Sequence, residues 1–471
     1  MTTATLKDKY DVIIVGSGFS GIVAASRLAE ADLDILVVDE NLHIGGQLLR
    51  KIPESLGENA AYHPDYTKKI GYRFIESCKR QKIQILNRTR VLGIYPDNRI
   101  LLEIEETSSK QLSFETILMA TGARERFLPF KGWTLPGVVS TGLLQVMMKS
   151  NGVLPARNMV IGGSGLFLYA AAYEFLKNKG TLLGLYEQTG MLGKIKMVPT
   201  LLGQVPKMVE GVRYMSKIVL SGVIPQFRRR VVEARGNGCL EEVVVARTDA
   251  EGHPVVGSEK IIKADGLAVG YGFVPNIELP QLAGCPLEYL EERGGWVVKV
   301  DDQMRGNGDH VYCAGEPTGI GGAFKSITEG EIAALSILNR FGKVAAADFQ
   351  TKLAKLIRER DHHLQFGKYF NSLYQVTPRM LLDVPDEVIV CRCEDIQMGE
   401  LRQAVKDGYT TPSALKVAVR SGMGNCQGRT CGPVIYDLMS LLTGKPHEEA
   451  GAFSVRPPVK PATIGSMSQF E

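Results

Sequence analysis

The hydrophobic pattern at the start of the chain predicts two buried strands separated by a helix. Residues 10–15 form a continuous run rich in valine and isoleucine, which is typical of a parallel strand buried on both faces. Apolar residues then recur at helical spacing from Ile22 to Ala29, and Ile35 to Val38 is a second apolar run. This order predicts a βαβ unit at the beginning of an α/β protein.

The same pattern returns in the middle of the chain. A strand is predicted from Asn158, a helix from Leu166 to Lys177, and a second strand from Leu182 to Tyr186. Two further strands, Thr116 to Met119 and residues 309–313, each run into a glycine turn. The pattern therefore predicts two similar α/β units.

The C-terminal third has a different character. Residues 346–387 carry charged helical stretches, and we interpret the pair His362-His363 there as part of a solvated or interface helix rather than as metal ligands. Residues 388–445 alternate short helices with cysteines and glycines. Residues 446–471 contain a proline-rich stretch that we expect to be extended and docked on a surface rather than loose.

Composition and charge exclude several classes of function. The 471 residues include 55 basic and 51 acidic side chains, a net charge of +4 that is too balanced for a nucleic-acid-binding protein. We predict no transmembrane segment, because no window holds eighteen uncharged apolar residues. The first strand begins too early for a signal peptide, so we expect a cytoplasmic protein, with peripheral membrane association through an electron acceptor as the alternative.

The first glycine turn has the spacing of a dinucleotide-binding fingerprint. Gly16 permits the tight turn, Gly18 lets the backbone approach a pyrophosphate, and Gly21 allows the helix to pack closely. An acidic residue after the second strand binds the ribose hydroxyls in such sites. Asp39 directly follows the last apolar position, so we prefer it to Glu40 for this role.

The second glycine turn is a weaker match. Gly163 and Gly165 follow a strand, and Glu187 ends the next strand, but Leu168 stands where the third glycine is expected. Glu187 binds the ribose of NAD in one interpretation, whereas the second unit is a scaffold without nucleotide in the other. The bulky Leu168 favours the scaffold.

Four cysteines near the C-terminus have the spacing of a metal centre. Cys391 and Cys393 form a CxC pair, and Cys426 and Cys431 follow 32 intervening residues later, between short helices. Four thiolates suit either zinc or an iron–sulfur cluster. The remaining cysteines are scattered singly, and no CxxC pair follows the first glycine turn, which argues against disulfide reduction.

The glycine motifs resemble those of glutathione-reductase-like flavoproteins with two nested Rossmann-like domains. The resemblance rests on Gly46-Gln47, on Ala120-Thr-Gly122 and on Gly315-Glu316. It implies an FAD-type domain built from residues 1–150 and 270–345, interrupted by an NAD-type domain at 151–269. Because Glu316 stands where aspartate is usual, ATP or NAD in the same site are the alternatives to FAD.

The cysteine segments CRCE and CQGRTCG resemble the bacterioferritin-associated-ferredoxin-like (BFD-like) [2Fe–2S] module, which favours an iron–sulfur cluster over zinc. This module spans residues 388–445, between a helical linker at 346–387 and a proline-rich docking tail at 446–471. Arg392 and Arg429 place positive charge near the cysteines, which we expect to raise the potential of the cluster.

Over its whole length the chain resembles the α subunits of multi-subunit amino- and imino-acid dehydrogenases. These include proline and hydroxyproline dehydrogenases, opine oxidase, hydrogen cyanide synthase and heterotetrameric sarcosine oxidase. The resemblance implies an FAD-dependent, electron-transferring subunit that is inactive without an amino-acid-oxidase-like flavoprotein β subunit. An FMN at a subunit interface and a small ferredoxin-like [2Fe–2S] subunit are further implied components.

No residue pair in the sequence is a convincing acid–base couple for oxidising a C–N bond, so the catalytic residues remain unassigned. Two other functions stay open: a stand-alone NAD(P)H-dependent flavin and iron–sulfur reductase, and a structural subunit whose nucleotide is redox-inactive. The substrate amine, the final electron acceptor and the stoichiometry of the complex are not indicated by the sequence.

Overall fold

The computed structural model describes residues 6–49, 66–81, 83–190 and 205–468. Residues 50–57 of the cysteine-free segment after Gly46 lie outside these ranges. The helices are α1 Phe19–Leu28, α2 Tyr66–Arg80, α3 Thr141–Ser150, α4 Phe167–Lys177, α5 Val205–Leu220, α6 Glu278–Leu282, α7 Ala323–Arg340, α8 Ala346–Leu373, α9 Met398–Lys406, α10 Pro412–Val419, α11 Gly432–Thr443, α12 His447–Ala450 and α13 Ile464–Met467.

The strands are β1 Lys9–Val15, β2 Ile35–Val38, β3 Gln84–Leu86, β4 Thr89–Tyr95, β5 Arg99–Ile104, β6 Ser108–Met119, β7 Ala123–Glu125, β8 Val138–Ser140, β9 Asn158–Gly163, β10 Thr181–Glu187, β11 Gln226–Phe227, β12 Arg229–Arg235, β13 Glu242–Arg247, β14 Lys260–Lys263, β15 Gly266–Gly270, β16 Phe273–Pro275, β17 Leu287–Leu290, β18 Gly295–Val298, β19 Arg305–Asn307, β20 Val311–Cys313, β21 Ile389–Cys391 and β22 Ile396–Gln397. The described helices include none that is both long and apolar enough to cross a bilayer.

The first domain is built on an eight-stranded sheet ordered β19-β20-β6-β1-β2-β3, onto which the β4–β5 hairpin is joined through β6. β1 pairs in parallel with both β2 and β6. Val12 and Ile14 face one hydrophobic core, whereas Ile13 and Val15 face the core on the other side of the sheet. Burial on both faces explains why this strand is continuously apolar.

The inserted domain has a five-stranded sheet ordered β11-β10-β9-β15-β8. β8 pairs in parallel with β15 through Val138 and Leu267, and α3 follows β8 directly. The predicted boundary at residue 150 is therefore too late, because β8 pairs in the inserted domain's sheet and Leu144 and Met148 of α3 lie in its core. A three-residue strand leaves too little periodicity to be recognised in sequence.

The cysteine module does not form a separate core. Its buried residues, including Leu401 and Val434, belong to the same hydrophobic cluster as Val160 and Val231 of the inserted domain. The long helix α8 packs on α7 of the first domain before the chain enters the module. The module is therefore packed against the inserted domain.

The C-terminal tail lies along the chain's own β4–β5 hairpin. The Val459 amide donates to the Leu92 carbonyl at 2.9 Å, and the Thr463 amide donates to Glu103 at 2.8 Å. Ser466 is fully buried and its hydroxyl donates to the same Glu103 carboxylate at 2.7 Å. The surface that receives the tail therefore belongs to this chain.

Candidate cofactor and electron-transfer sites

The first glycine turn is packed so closely that two of its glycines leave no room for a side chain. Gly16 has a φ of +102°, and a Cβ there would lie 2.3 Å from the Ala120 carbonyl oxygen. A Cβ on Gly21 would lie 1.9 Å from the Gly16 carbonyl oxygen. These contacts bring the predicted Ala120–Gly122 segment directly against the turn.

Two other predicted glycines face open space. Among the described residues, a Cβ on Gly18 or on Gly122 would meet no atom within 4 Å. Gly46 closes the other side of the turn, because a Cβ there would lie 2.8 Å from the Gly18 Cα. The space in front of Gly18, at the N-terminus of α1, has the features of a pyrophosphate site. Gln47, next in the chain, is exposed.

The two acidic residues after β2 have different roles. Asp39 is buried and accepts hydrogen bonds from the Ser17 amide at 2.7 Å, the Ser17 hydroxyl at 2.6 Å and the Asn41 amide at 2.8 Å. Glu40 is half-exposed and pairs with Lys460 of the tail. Asp39 therefore holds the glycine turn, whereas Glu40 contacts the tail. Ser17 distinguishes the two acids, because its amide and hydroxyl both donate to Asp39. Its position between two glycines did not indicate this role in the sequence.

The late glycine turn contacts α1. Gly315 has a φ of +87°, and a Cβ there would lie 2.5 Å from the Ser20 hydroxyl. The Glu316 carboxylate turns back and accepts from the Gly322 amide at 2.9 Å, where α7 begins. Burial raises the pKa of Glu316 despite the nearby charge of Lys325.

A buried ion pair beneath this turn was not predicted from sequence. Lys325 is fully buried, and its ammonium group donates to the carbonyls of Gly315 at 2.6 Å and Gly319 at 2.8 Å. Glu329, one helical turn on, lies 3.0 Å from Lys325 and accepts from the Gly315 amide at 2.8 Å. The pair therefore binds both the carbonyl and the amide of Gly315. In the sequence it is visible as a lysine and a glutamate four residues apart.

The second glycine turn has a buried acid. Glu187 is fully buried and accepts from the Gly165 amide at 3.3 Å and the Thr189 hydroxyl at 2.9 Å. Gly163 has a φ of +134° and presses against β15, since a Cβ there would lie 1.9 Å from the Gly270 carbonyl oxygen. Leu168 is buried in the inserted domain's core.

The four cysteines meet as two pairs. Cys391 is hydrogen-bonded to Cys431, and Cys393 to Cys426. The hydrogen bond from Cys431, together with backbone N–H groups such as that of Gly422, lowers the pKa of Cys391 to about 6. The described part of the chain contains no group of three or more His, Cys, Asp or Glu residues that could hold a single metal ion. Four thiols in two neighbouring pairs are the ligand type of a two-iron cluster.

The cysteine loop docks on the first domain beside the Ala120–Gly122 segment. Arg124, on β7, donates to the Arg429 carbonyl at 3.0 Å and forms a bidentate pair with Glu278 at 2.8 and 3.2 Å. Burial alone would raise the pKa of Glu278, but Arg124 and Arg429 hold it below its ordinary value. Arg392, by contrast, lies over the Trp133 ring at 5.3 Å.

The tail supports the cysteine loop from behind. The Phe453 ring is buried, and Cβ atoms on Gly422 and Gly428 would lie 3.0 and 2.8 Å from it. Both glycines have positive φ values, +81° and +78°. The ring also packs edge-on against Tyr436, with centroids 5.4 Å apart. These glycines thus make room for the tail as well as for the loop's backbone.

One further cysteine pair lies close to the first site. The sulfur atoms of Cys285 and Cys313 are 3.8 Å apart, directly behind the Gly315 turn. Both side chains are buried, and the hydrogen bond between them and their burial raise the pKa of Cys313. A protonated, solvent-shielded thiol is a poor nucleophile, so this pair has the character of core packing.

Comparison with known proteins agrees with this geometry. Residues 10–333 match the pyridine nucleotide-disulphide oxidoreductase family, and residues 389–440 match the BFD-like [2Fe–2S] binding domain. These matches confirm FAD and a [2Fe–2S] cluster as the cofactors. The open space at Gly18 and the paired cysteines fit both groups.

Several relatives match over nearly the whole chain. An opine oxidase subunit of Rhizobium meliloti is 28% identical, covering 100% of this chain and 89% of its own length. The hydrogen cyanide synthase subunit HcnB of Pseudomonas aeruginosa is 31% identical, covering 97% and 98%. The L-proline dehydrogenase structure from P. horikoshii superposes with a TM-score of 0.68 at 21% identity, covering 98% of this chain and 79% of that one.

These matches confirm the predicted nested Rossmann-like fold with a C-terminal [2Fe–2S] module. They also confirm the resemblance to subunits of multi-subunit amine and amino-acid oxidoreductases. The chain belongs to the pyridine nucleotide-disulphide oxidoreductase family, within the group of flavin-dependent subunits that carry a BFD-like [2Fe–2S] domain.

Proposed function

We propose that this chain is the electron-transfer subunit of a flavoprotein dehydrogenase or oxidase complex acting on an amino acid, imino acid or related secondary amine. The single observation that carries the proposal is the contact between Arg124, beside the nucleotide turn, and the Arg429 carbonyl in the cysteine loop. Bound FAD accepts two electrons and can release them singly, and a [2Fe–2S] cluster accepts one at a time.

We assign residues to each cofactor as part of this proposal. Gly16, Gly18 and Gly21, together with Gly46, Ala120, Gly122 and Gly315, form the proposed cradle of the dinucleotide, and Asp39 and Glu40 are the candidate carboxylates for its ribose. Asp39, Lys325 and Glu329 hold that cradle in shape. Cys391, Cys393, Cys426 and Cys431 are the proposed cluster ligands.

The chemistry on the amine is assigned to a partner. Relatives of this chain are named as subunits of opine oxidase, hydrogen cyanide synthase and sarcosine oxidase. We propose that an amino-acid-oxidase-like flavoprotein β subunit oxidises the C–N bond and passes electrons to this chain. An interface FMN and a small ferredoxin-like subunit complete the proposed complex.

The test compares dye reduction in three samples: the chain by itself, a co-expressed β subunit by itself, and both together. Candidate substrates are proline, hydroxyproline, sarcosine, glycine and opines. We expect turnover with one of these only in the mixture containing this chain with its cluster intact. Oxidation of an amine by the chain by itself at a rate matching the mixture would contradict the proposal, because it would place the active site in this chain.

A further inference from the structure

We propose that the acidic, ribose-binding end of the second dinucleotide crevice is covered by the chain itself and serves as the seat for the segment leading to the cysteine module. This segment lies in the last part of the predicted 346–387 linker. It comprises residues 374–384, directly after α8, and is called the linker segment below. The crevice is the space in front of the Gly163–Gly165 turn and Glu187, where NAD(P)H would bind. The inference is independent of the proposed partner. It excludes a nicotinamide as the electron donor and is compatible with any other donor.

The linker segment contacts the second glycine turn directly. The hydroxyl of Ser164, in the middle of the turn, donates to the Tyr374 carbonyl at 2.7 Å. Ser164 is only 3% exposed. Gly165 still faces open space, so the closure lies on the Ser164 side and extends toward the end of β10.

The residues that end β10 are also covered. A dinucleotide needs the acidic side chain after the second strand for its ribose hydroxyls. Glu187 has an exposed fraction of 0% and its oxygens accept hydrogen bonds from Gly165 and Thr189. Gln188, the next residue, is buried against Met380 of the linker segment. A nucleotide could reach this acid only if the linker segment left.

The linker segment is anchored too firmly to act as a lid. Arg230 pairs with Asp383 at 3.0 Å and donates to the Met380 carbonyl at 3.4 Å. His253 lies 2.8 Å from the other Asp383 oxygen. Val376 and Met380 are buried in the core cluster that the inserted domain shares with the cysteine module. Opening the crevice would expose these apolar side chains to water.

Helix α8 fixes where the linker segment begins. Gly367 of α8 packs so closely on the loop before α7 that a Cβ there would lie 3.1 Å from the Gly321 Cα. Asn371 donates to the Ile320 carbonyl at 3.0 Å. The rings of Phe370 and Tyr374 lie tilted with centroids 5.2 Å apart, at the end of the helix. These contacts anchor the helix end from which the linker segment reaches the second turn.

The experiment titrates the FAD-loaded chain with NADH and NADPH by calorimetry, and follows the flavin absorbance under anaerobic conditions. We expect no saturable binding heat and no stoichiometric bleaching of the flavin with either nucleotide. Saturable binding, or bleaching by one equivalent of NADH, would overturn the proposal. Reduction of the same sample by dithionite shows that the flavin is competent.

A pair of variants tests the seat itself through hydrogen exchange of residues 374–384. Met380→Ala removes a buried anchor, whereas Leu382→Ala changes a neighbour that is 49% exposed. We expect at least tenfold faster exchange of this segment in Met380→Ala and no change in Leu382→Ala. Equal effects of the two substitutions, or exchange in the unmodified chain as fast as in an exposed loop, would refute the seat.

Discussion

At the scale of single residues, the acids that end β2 and β10 show how a side chain can support a glycine turn. Asp39 and Glu187 both point back to their own glycine turns and accept backbone N–H groups there. In the first site, the neighbouring Glu40 remains half-exposed, whereas Gln188 in the second site is buried. We propose that this difference distinguishes a cofactor site from a scaffold.

The glycines could be predicted from sequence because each satisfies a local backbone demand that no other residue meets. Gly16 and Gly21 were assigned roles from spacing alone, and the Cβ contacts agree with those roles. The buried pair Lys325 and Glu329 could not be anticipated in the same way. Its partners, the carbonyl and amide of Gly315, depend on a turn that only the folded chain brings over the helix.

Replacing Gly18 by valine should yield folded protein that lacks FAD. The Gly18 Cβ direction is open and its φ of −67° is ordinary, so the new side chain meets no protein atom but fills the pyrophosphate space. The measurement is the flavin absorbance per protein after purification. Gly211→Val is the matched control, because Gly211 also faces open space but lies on α5. Full flavin content in Gly18→Val would show that the pocket is elsewhere.

Replacing Cys426 by serine should remove most of the cluster's visible absorbance and the paramagnetic signal of its reduced form, because a hydroxyl is a much poorer ligand for iron. Cys239→Ser is the control, since Cys239 is an exposed free thiol outside the module. Iron and zinc are counted by elemental analysis of anaerobically purified protein. Stoichiometric zinc without iron in the unmodified chain would contradict the assignment.

At the scale of elements, the sequence pattern located the long periodic segments and missed those defined by distant contacts. β2 was predicted at Ile35 to Val38 and is observed there, because a buried parallel strand must be apolar throughout. β8 was not predicted because a strand of three residues is too short to show an alternating pattern. Its partner β15 also lies more than a hundred residues away in the sequence. The extended tail was expected, but its seat on β4 required the folded structure.

Truncating Phe453 to alanine should destabilise the cysteine loop, because the ring fills the space that Gly422 and Gly428 leave behind the cluster. Burial of this kind contributes about 3–5 kcal/mol for a phenylalanine. The measurement is the urea midpoint for loss of cluster absorbance. Ile464→Ala, at a tail position that is 89% exposed, is the control. An unchanged midpoint in Phe453→Ala would mean that the tail does not support the loop.

Replacing Glu278 by glutamine should raise the reduction potential of the cluster. The substitution keeps the side-chain volume but leaves Arg124 and Arg429 without their shared counter-charge, which stabilises the more negative reduced cluster. We expect a shift on the order of 50 mV, measured by a redox titration of the paramagnetic signal. Glu30→Gln, an exposed glutamate after α1, should leave the potential unchanged. A fall in potential in Glu278→Gln would contradict this electrostatic role.

At the scale of the whole molecule, the chain combines two nucleotide folds with a cluster module. The module shares its core with the inserted domain, while its cysteine loop contacts β7 of the first domain. The two folds and the module were predictable because each carries its own motif. Their mutual docking was not, since Arg124 and Glu278 lie far from Arg429 in sequence and belong to no motif.

Rapid-freeze paramagnetic resonance of this chain, mixed with substrate in the presence and in the absence of its β subunit, tests the central claim most directly. The account predicts that the signal of the reduced [2Fe–2S] cluster appears within a single turnover only when both subunits are present. It also predicts that the signal is lost in the complex containing Cys426→Ser. A substrate-driven cluster signal in this chain without its partner would contradict the account.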